Sequence, residues 1–275
     1  MKKITFGKII SLAFLILWAF FSLAPLLWML STSFKPVGSY LKVPPEIFPQ
    51  NPTIGNFADL IKNAPHWWRW VLNSLIVASI ITVSNIFLCS AAGYAFAKKK
   101  FIGNKTIFWA IISSMMIPGQ VTLIPLYQLI SRMGLINTYS ALCLPSLSTA
   151  FGIFLMKQYI TSISSEMLDA GKIDGCSEFG LFIRIIFPLC KPALAVLAIF
   201  TFMAQWNDFL WPLVITTSVE MKTLQVGLST LQNKWSTDYG ILMAGATLSA
   251  LPMIAIFFSF QRYFVQGLRL GAVKG

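Results

Sequence analysis

Residues 71–97 read VLNSLIVASIITVSNIFLCSAAGYAFA, and the run Lys98-Lys99-Lys100 follows directly. The stretch contains no Asp, Glu, Lys or Arg. It is longer than the roughly 20 helical residues that cross a hydrocarbon core about 30 Å thick. Lysines that close an apolar run are typical of the cytoplasmic end of a span. The stretch therefore predicts a transmembrane helix whose last residues lie on the cytoplasmic side.

Five more segments share this character, and the chain as a whole is 56% hydrophobic and only 11% charged. Soluble domains carry about 25% charged residues, so the fold class predicted is an all-α membrane protein with six transmembrane helices. The predicted spans are residues 9–33, 71–97, 106–130, 138–160, 191–216 and 239–262. Residues 1–275 are assigned to one transmembrane domain, with an extracytoplasmic loop 34–70 and a cytoplasmic loop 161–190. The first span is too long for a signal peptide and has no A-x-A cleavage site.

The distribution of Lys and Arg predicts the orientation. With the N-terminus inside, 14 of the 21 Lys and Arg residues fall on the cytoplasmic side and 7 on the other. This bias predicts that both termini are cytoplasmic in a multi-pass protein of a bacterial or archaeal cytoplasmic membrane. The net charge of +12 lies mainly in the gaps between apolar runs, which argues against a nucleic-acid partner.

Several classes of active site are excluded by what the sequence lacks. The four cysteines are scattered without a CxxC pair, and His66 is the only histidine, so neither a metal centre nor a Ser-His-Asp triad is expected. No G-x-x-x-x-G-K-[ST] motif is present, so the chain has no phosphate-binding loop of its own. We expect a subunit without catalytic activity that binds no cofactor.

Two polar features stand out near the predicted spans. Residues 66–70, HWWRW, predict an interfacial aromatic belt or a docking surface for an external partner. Prolines fall inside the last four spans, where they fit helices around a pathway as well as ordinary packing.

Within the fifth span, an ionised Asp208 would cost about 2.5–3.5 kcal/mol and should face protein or water. Two interpretations remain open. One is a buried polar contact between helices. The other is a substrate pathway in which Trp206 stacks on a sugar, with the pathway residues Gln205, Trp206, Asn207 and Asp208.

The loop 161–190 contains four of the nine acidic residues. Ser164 or Ser165 can cap a short helix with acidic residues in its first turn, and Asp174-Gly175 is typical of a helix end. Small residues on this helix would let another surface approach closely. A second helix should begin at Ser177-Glu178 and end at Pro188. The residues favour docking to a cytoplasmic protein, and an interfacial helix on lipid is the alternative.

This loop resembles the EAA loop of ABC-importer permeases, roughly E-A-A-x-x-D-G-A. The chain has Asp169-Ala170-Gly171 and Asp174-Gly175-Cys176 at the matching positions, so Asp169, Gly171 and Cys176 depart from the consensus. The resemblance implies that the loop contacts an ATPase. The coupling residues it implies are Glu166, Leu168, Asp169, Ala170, Gly171, Ile173, Asp174, Gly175, Phe182 and Pro188.

Further motifs extend the resemblance over nearly the whole chain. They are residues 73–75 (NSL), 93–97 (GYAFA), 133–138 (MGLINT), 206–209 (WNDF) and 261–268 (QRYFVQGL). Together they are similar to the six-span permeases of maltose-type and multiple-sugar importers, and imply a MetI-like bundle with a cytoplasmic coupling helix. The partners implied are a homologous second permease, two ATP-binding subunits that hold ATP and Mg, an extracytoplasmic solute-binding protein and a sugar or oligosaccharide. The alternatives are a permease of the same superfamily for glycerol phosphate, amino acids or peptides, and a stand-alone secondary transporter.

Overall fold

The computed structural model describes residues 6–39, 46–233 and 238–272, and it contains helices and no strand in these ranges. The predicted fold class is therefore confirmed. The α-helices are α1 Phe6–Ser33, α2 Gly55–Asn63, α3 Trp67–Lys98, α4 Asn104–Ser114, α5 Gly119–Arg132, α6 Tyr139–Cys143, α7 Ala150–Thr161, α8 Glu166–Ile173, α9 Glu178–Leu181, α10 Phe187–Leu189, α11 Lys191–Trp206, α12 Leu210–Ile215, α13 Leu224–Ser229 and α14 Tyr239–Ala272. Short 3₁₀ segments cover Leu144–Ser146, Val219–Met221 and Thr230–Asn233, and a π-helical segment covers Phe182–Ile186.

Three helices are long and apolar enough to cross a membrane alone, namely Gly7–Ser33, Trp67–Lys98 and Tyr239–Ser259. Three bent pairs pass the same test together. They are Asn104–Ser114 with Gly119–Arg132, bent by 100°, Tyr139–Ser146 with Ala150–Thr161, bent by 44°, and Glu178–Leu189 with Lys191–Trp206, bent by 79°. The described chain thus has up to six spans, and half of them are broken helices.

The sharpest break separates α4 from α5, where one continuous span 106–130 was predicted. Pro118 lies at φ −59° and ψ 132°, an extended conformation that ends the helical path. Because Pro118 has no N–H, it cannot donate the hydrogen bond that a continuous helix would need there. One of the prolines inside this predicted span therefore interrupts it. Pro125, in contrast, lies inside α5 without breaking it.

The break between α6 and α7 is stabilised by side chains of α3. The Asn85 amide donates to the carbonyl of Ser146 at 2.7 Å, and the Ser84 hydroxyl donates to that of Leu147 at 2.8 Å. The Thr149 hydroxyl donates to Asn85 Oδ1 at 2.9 Å and accepts from Gly152 N, which caps α7. Irregular backbone at membrane depth occurs only where protein or water forms hydrogen bonds with its polar groups. Here the side chains of α3 form these hydrogen bonds.

The fifth predicted span, residues 191–216, is also not one helix. α11 ends at Trp206, and α12 begins at Leu210. The Asn207 amide donates to the carbonyl of Met203 at 2.9 Å, which occupies an acceptor at the helix end. The same carbonyl also accepts from Asn207 N at 3.1 Å, so the side chain adds a second donor at the helix end. Such a local bond from a side chain to the backbone competes with continuation of the helix and favours termination there. Asp208 consequently lies in a break between helices, and the prediction that it sits mid-helix is wrong.

Described residues group into two compact units, one from 1–67 and 228–252 and the other from 68–227 and 253–275. The predicted single domain stays a prediction. In the first unit, α1 exposes its apolar side chains, for example Phe14 and Trp18, as a lipid-facing helix does. The Asn56 amide donates to the carbonyls of Ser33 and Lys35 at 2.9 and 2.8 Å, which fixes the chain after α1.

In the second unit, α3 packs closely against α7. A Cβ placed on Gly93 would lie 2.8 Å from Met156 Cβ and from the backbone N of Lys157. The small residues 91–93 therefore serve a contact within the chain. The core around this contact joins α3, α7, the loop 161–190 and α11; its buried members include Cys89, Tyr94, Met156, Leu168, Phe182 and Leu197.

Candidate functional site

The loop 161–190 forms two short helices joined by a tight corner. At the start of α8, the Ser164 hydroxyl accepts a hydrogen bond from Glu166 N at 3.2 Å, whereas Ser165 makes no side-chain cap. At its end, Cys176 N donates to Gly171 O at 2.9 Å and Gly175 N donates to Lys172 O at 3.0 Å. These two bonds define a Schellman motif, which requires the positive φ of 77° found at Gly175. The corner predicted at Asp174-Gly175 is confirmed.

The second helix begins where the sequence predicted. Ser177 caps it by accepting from Gly180 N at 3.1 Å. The helix does not end at Pro188, because the π-helical segment precedes the proline and α10 carries the chain to Leu189. A π-turn changes which carbonyl faces the proline ring, so the helix can pass through it.

Three of the predicted coupling residues are buried in the chain's own core. They are Leu168, Gly171 and Phe182; Leu168 is 5% and Phe182 is 4% exposed. Phe182 lies in the π-helical segment itself, and its ring packs against Tyr94 and Phe87 of α3. A Cβ on Gly171 would lie 2.5 Å from Ile185 Cδ1 and 2.7 Å from Leu181 Cδ2. The close approach expected of Gly171 therefore occurs inside this chain, and the expectation that it faces another surface is wrong.

The other predicted coupling residues are exposed; they are Glu166, Asp169, Ala170, Ile173, Asp174, Gly175 and Pro188. Ile173 is 87% exposed, and Met167 and Phe179 are also largely exposed on the same loop. Asp169 forms an exposed ion pair with Lys172 at 3.0 Å. The outer surface of α8 thus presents apolar side chains beside charges, a composition suited to a protein contact.

Contacts from the C-terminal end of α3 hold this loop. Lys98 Nζ donates to Ile163 O at 2.5 Å, and the Lys99 ammonium pairs with the Glu178 carboxylate. The Tyr94 hydroxyl donates to Glu178 Oε2 at 3.3 Å. Its ring stacks on Phe182 with the centroids 5.7 Å apart. A displacement of α8 and α9 therefore acts directly on α3.

The ion pair between Lys99 and Glu178 shifts the pKa of both residues. The hydrogen bond from Lys99 lowers the pKa of the Glu178 carboxyl. Burial lowers the pKa of Lys99, but the bonds and charges of Glu178 and Tyr94 outweigh it, so the pKa is raised overall. Sequence reasoning used the lysines only as a topology signal. Tyr94 and Lys98 are four residues apart and lie on one face of the helix. This spacing indicates a contact surface but does not identify its partner.

The predicted pathway residues lie at the break between α11 and α12. Trp206 is 1% exposed and stacks on Phe202 with centroids 5.8 Å apart, so the ring has no free face for a sugar in this conformation. Asp208 is half-buried and lies two residues before the start of α12. Gln205 is also half-buried, and Asn207 is exposed. Asp208 therefore lies at the N-terminal end of a helix, where the helix dipole favours a negative charge, a position that neither reading of the sequence included.

A second set of contacts holds the segment 217–224 at the N-terminal end of α3. The Asn73 amide donates to Glu220 O at 2.7 Å and Lys222 O at 2.8 Å. Asn73 Oδ1 accepts from the Tyr139 hydroxyl at 2.6 Å, and Ser74 Oγ accepts from Leu224 N at 2.9 Å. These residues belong to the NSL motif, whose contacts no local sequence pattern indicated.

The neighbouring MGLINT motif contacts the same segment. Asn137 adopts a φ of 63°, and its Oδ1 accepts from Thr217 N and Ser218 N, both at 3.0 Å. Asn is one of the few residues that tolerate this backbone conformation. Two motifs distant in sequence therefore fix one loop.

Comparison with known proteins identifies the family to which the chain belongs. Residues 86–270 match the family described as "Binding-protein-dependent transport system inner membrane component". The chain belongs to this family. As a member it is a multi-pass protein of the cytoplasmic membrane and a transport permease.

Individual relatives of this permease cover most of its length. It is 37% identical over 259 residues to the arabinooligosaccharides transport system permease protein AraQ of Halalkalibacterium halodurans, covering 94% of this chain and 93% of AraQ. It is 33% identical over 208 residues to the sn-glycerol-3-phosphate transport system permease protein UgpE of Shigella flexneri, covering 75% of this chain and 74% of UgpE. A bacterial ABC transporter involved in the import of the acidic polysaccharide alginate has the same fold, with a TM-score of 0.83, 21% identity and coverage of 96% of this chain and 100% of the other.

Proposed function

We propose that this permease is the non-catalytic membrane subunit of an ATP-driven importer for a sugar or oligosaccharide. It would work with a homologous second permease, two ATP-binding subunits that hold ATP and Mg, and an extracytoplasmic solute-binding protein. Both termini would lie in the cytoplasm. Family membership and the similarity to AraQ support this proposal, and the exposed apolar surface of α8 carries the coupling role.

The coupling mechanism follows from the contacts of the loop. α8 offers Ile173, Met167 and Asp169 to the ATPase, while Leu168 and Gly171 fix its other side to the chain's own helices. When ATP closes the ATPase dimer, α8 would move with the surface that it contacts. The Lys98, Lys99 and Tyr94 contacts would pass this movement to α3. The cavity between the spans would then change from inward-facing to outward-facing.

A surface variant tests the docking role. Asp169→Lys combined with Ile173→Asp reverses a charge and removes an exposed apolar group without touching the buried side of α8. We expect the ATPase to stop co-purifying with the tagged permease, and uptake to fall to background.

The matched control is Asp59→Lys with Ile61→Asp on α2, which changes the same residue types elsewhere. This control should retain the ATPase. Equal ATPase recovery in all three proteins would overturn the docking role of α8, and a comparable thermal unfolding midpoint verifies that each variant is folded.

A non-sugar solute is the second candidate, because the similarity to UgpE extends over three quarters of the chain. Binding of labelled oligosaccharides and of glycerol phosphate to the associated solute-binding protein separates the two. Exclusive binding of glycerol phosphate would replace the sugar assignment and leave the coupling mechanism intact.

A further inference from the structure

An open pocket of about 450 Å³ lies where α3 ends and α4 begins. The side chain of Asn104 shapes it by donating to Lys99 O at 2.9 Å, which closes the connection between the two helices. The polar part of its lining consists of Lys99, Lys100, Asn104, Lys105 and Thr106. None of these residues belongs to the exposed surface of α8 or to the pathway discussed above.

The pocket has an excess of positive charge. Of its three lysines, Lys99 pairs with Glu178. Within the described ranges, Lys100 and Lys105 have no carboxylate partner, and both are exposed. Two unneutralised ammonium groups beside one cavity favour an anion.

Backbone donors add to this preference. Gly103, at φ 82°, precedes α4, and the first bond of the helical ladder runs from Ile107 N to Gly103 O at 2.8 Å. Among the described residues, the N–H groups of Lys105 and Thr106 have no acceptor. Free N–H groups at the start of a helix bind phosphate groups well, and here they line the same pocket as the lysines.

Apolar side chains border the charged pocket. Ile102 is fully exposed, and Phe101 and Ile107 are 41% and 47% exposed. The pocket directly follows the span Trp67–Lys98, so it lies at the level where the bilayer surface meets the protein. A free phosphate ion could not use these apolar groups, whereas the acyl chains of a lipid would cover them.

We propose that this pocket binds the headgroup of an anionic phospholipid. Its phosphodiester would contact Lys100, Lys105 and the free N–H groups of α4, and its acyl chains would lie along Phe101, Ile102 and Ile107. Basic pockets beside transmembrane helices suit such headgroups. Since Lys99 lines the pocket and also holds Glu178, a bound lipid would adjoin the contact between α3 and the loop 161–190. The proposal does not depend on which solute is transported.

Native mass spectrometry of the delipidated full-length chain tests it by titration with phosphatidylglycerol or phosphatidylcholine. We expect one phosphatidylglycerol to bind more tightly than phosphatidylcholine. Lys100→Gln with Lys105→Gln should weaken phosphatidylglycerol binding by about thirtyfold, as expected for two basic groups near a headgroup. The control Lys8→Gln with Lys191→Gln removes two exposed lysines near other span ends and should change binding by less than twofold.

Four results would overturn the proposal. Equal binding of the two lipids would remove the anionic preference, and equal loss in both double variants would mean that only general surface charge matters. Displacement of the lipid by inorganic phosphate at similar affinity would identify an ion site. Loss of ATPase co-purification with unchanged lipid binding in the Lys100→Gln, Lys105→Gln protein would identify a protein interface instead.

Discussion

The two ends of α3 are attached to their neighbours in different ways. At the N-terminal end, buried Asn73 and Ser74 bond to backbone groups of the segment 217–224. At the C-terminal end, Lys99 and Glu178 meet through side chains that are 30% and 64% exposed. The N-terminal end is thus held by buried side-chain bonds to the main chain. The C-terminal end is held mainly by a partly exposed ion pair above apolar contacts, with one further bond from Lys98 to the carbonyl of Ile163.

This difference bears on which end can move. Breaking buried side-chain bonds to carbonyls leaves polar groups without water, so the N-terminal attachment behaves as a rigid contact. An exposed ion pair can shift its geometry at little cost, because water screens both charges. We infer that α3 is anchored by the 217–224 segment and adjustable at the loop 161–190, where coupling movements would arrive.

Asn73→Ala should have the largest effect, because it removes three hydrogen bonds and leaves the carbonyls of Glu220 and Lys222 unsatisfied. We expect a loss of about 3 kcal/mol in the free energy of unfolding. Denaturation of the purified protein in detergent measures this. The exposed Asn63→Ala is the control and should be neutral. If the two substitutions proved equally mild, the claim of a rigid N-terminal contact would be wrong.

A smaller effect is expected from Gly171→Leu, which tests the apolar contacts behind the ion pair. The new side chain would overlap Ile185 and Leu181 and destabilise the protein by about 2 kcal/mol. Its neighbour Ala170→Leu points outward, so it should leave the unfolding midpoint unchanged while reducing ATPase co-purification. The reverse order of stability would contradict the assignment of buried and exposed sides to α8.

The smallest effect on stability is expected from Lys99→Gln, which should leave the thermal midpoint nearly unchanged. The variant should instead raise the pKa of Glu178 toward its ordinary value of 4.5. Because the folded-state pKa is lowered, the pairing stabilises the protein above the ordinary pKa and its contribution is lost as the pH falls through the lowered value. Selective ¹³C labelling of glutamate, with Glu178→Gln for assignment, follows this by NMR. An identical titration in wild type and variant would show that the ion pair does not form.

Local sequence signals predicted the parts of this molecule that depend on neighbouring residues. Hydropathy predicted the apolar helices, and Asp174-Gly175 predicted the end of α8, since each effect acts within a few residues along the chain. The exposed coupling residues were chosen on the family motif, and their role stays a prediction.

The predictions that failed concern residues whose surroundings depend on contacts with residues distant in the sequence. Glu178 lies 79 residues from Lys99, and no periodicity links them. Gly171 was assigned to a partner surface because small residues on an exposed helix suit a close contact with another protein. Its actual packing partner, Ile185, lies in the π-helical segment, which was not predicted from the sequence. The position of Asp208 could not be predicted without knowing that α11 ends at Trp206, which leaves this carboxylate between two helices.

The π-helical segment Phe182–Ile186 has one further consequence. A π-turn holds one residue more than the α-helical path it replaces, and each α-helical residue turns the chain by about 100°. Deleting one residue here would remove the extra residue and restore α-helical geometry, whereas the same deletion in an ordinary α-helix rotates the positions that follow by about 100°. Phe182–Ile186 is thus the part of this helix where the loss of one residue changes least which side of Lys191–Trp206 faces the lipid.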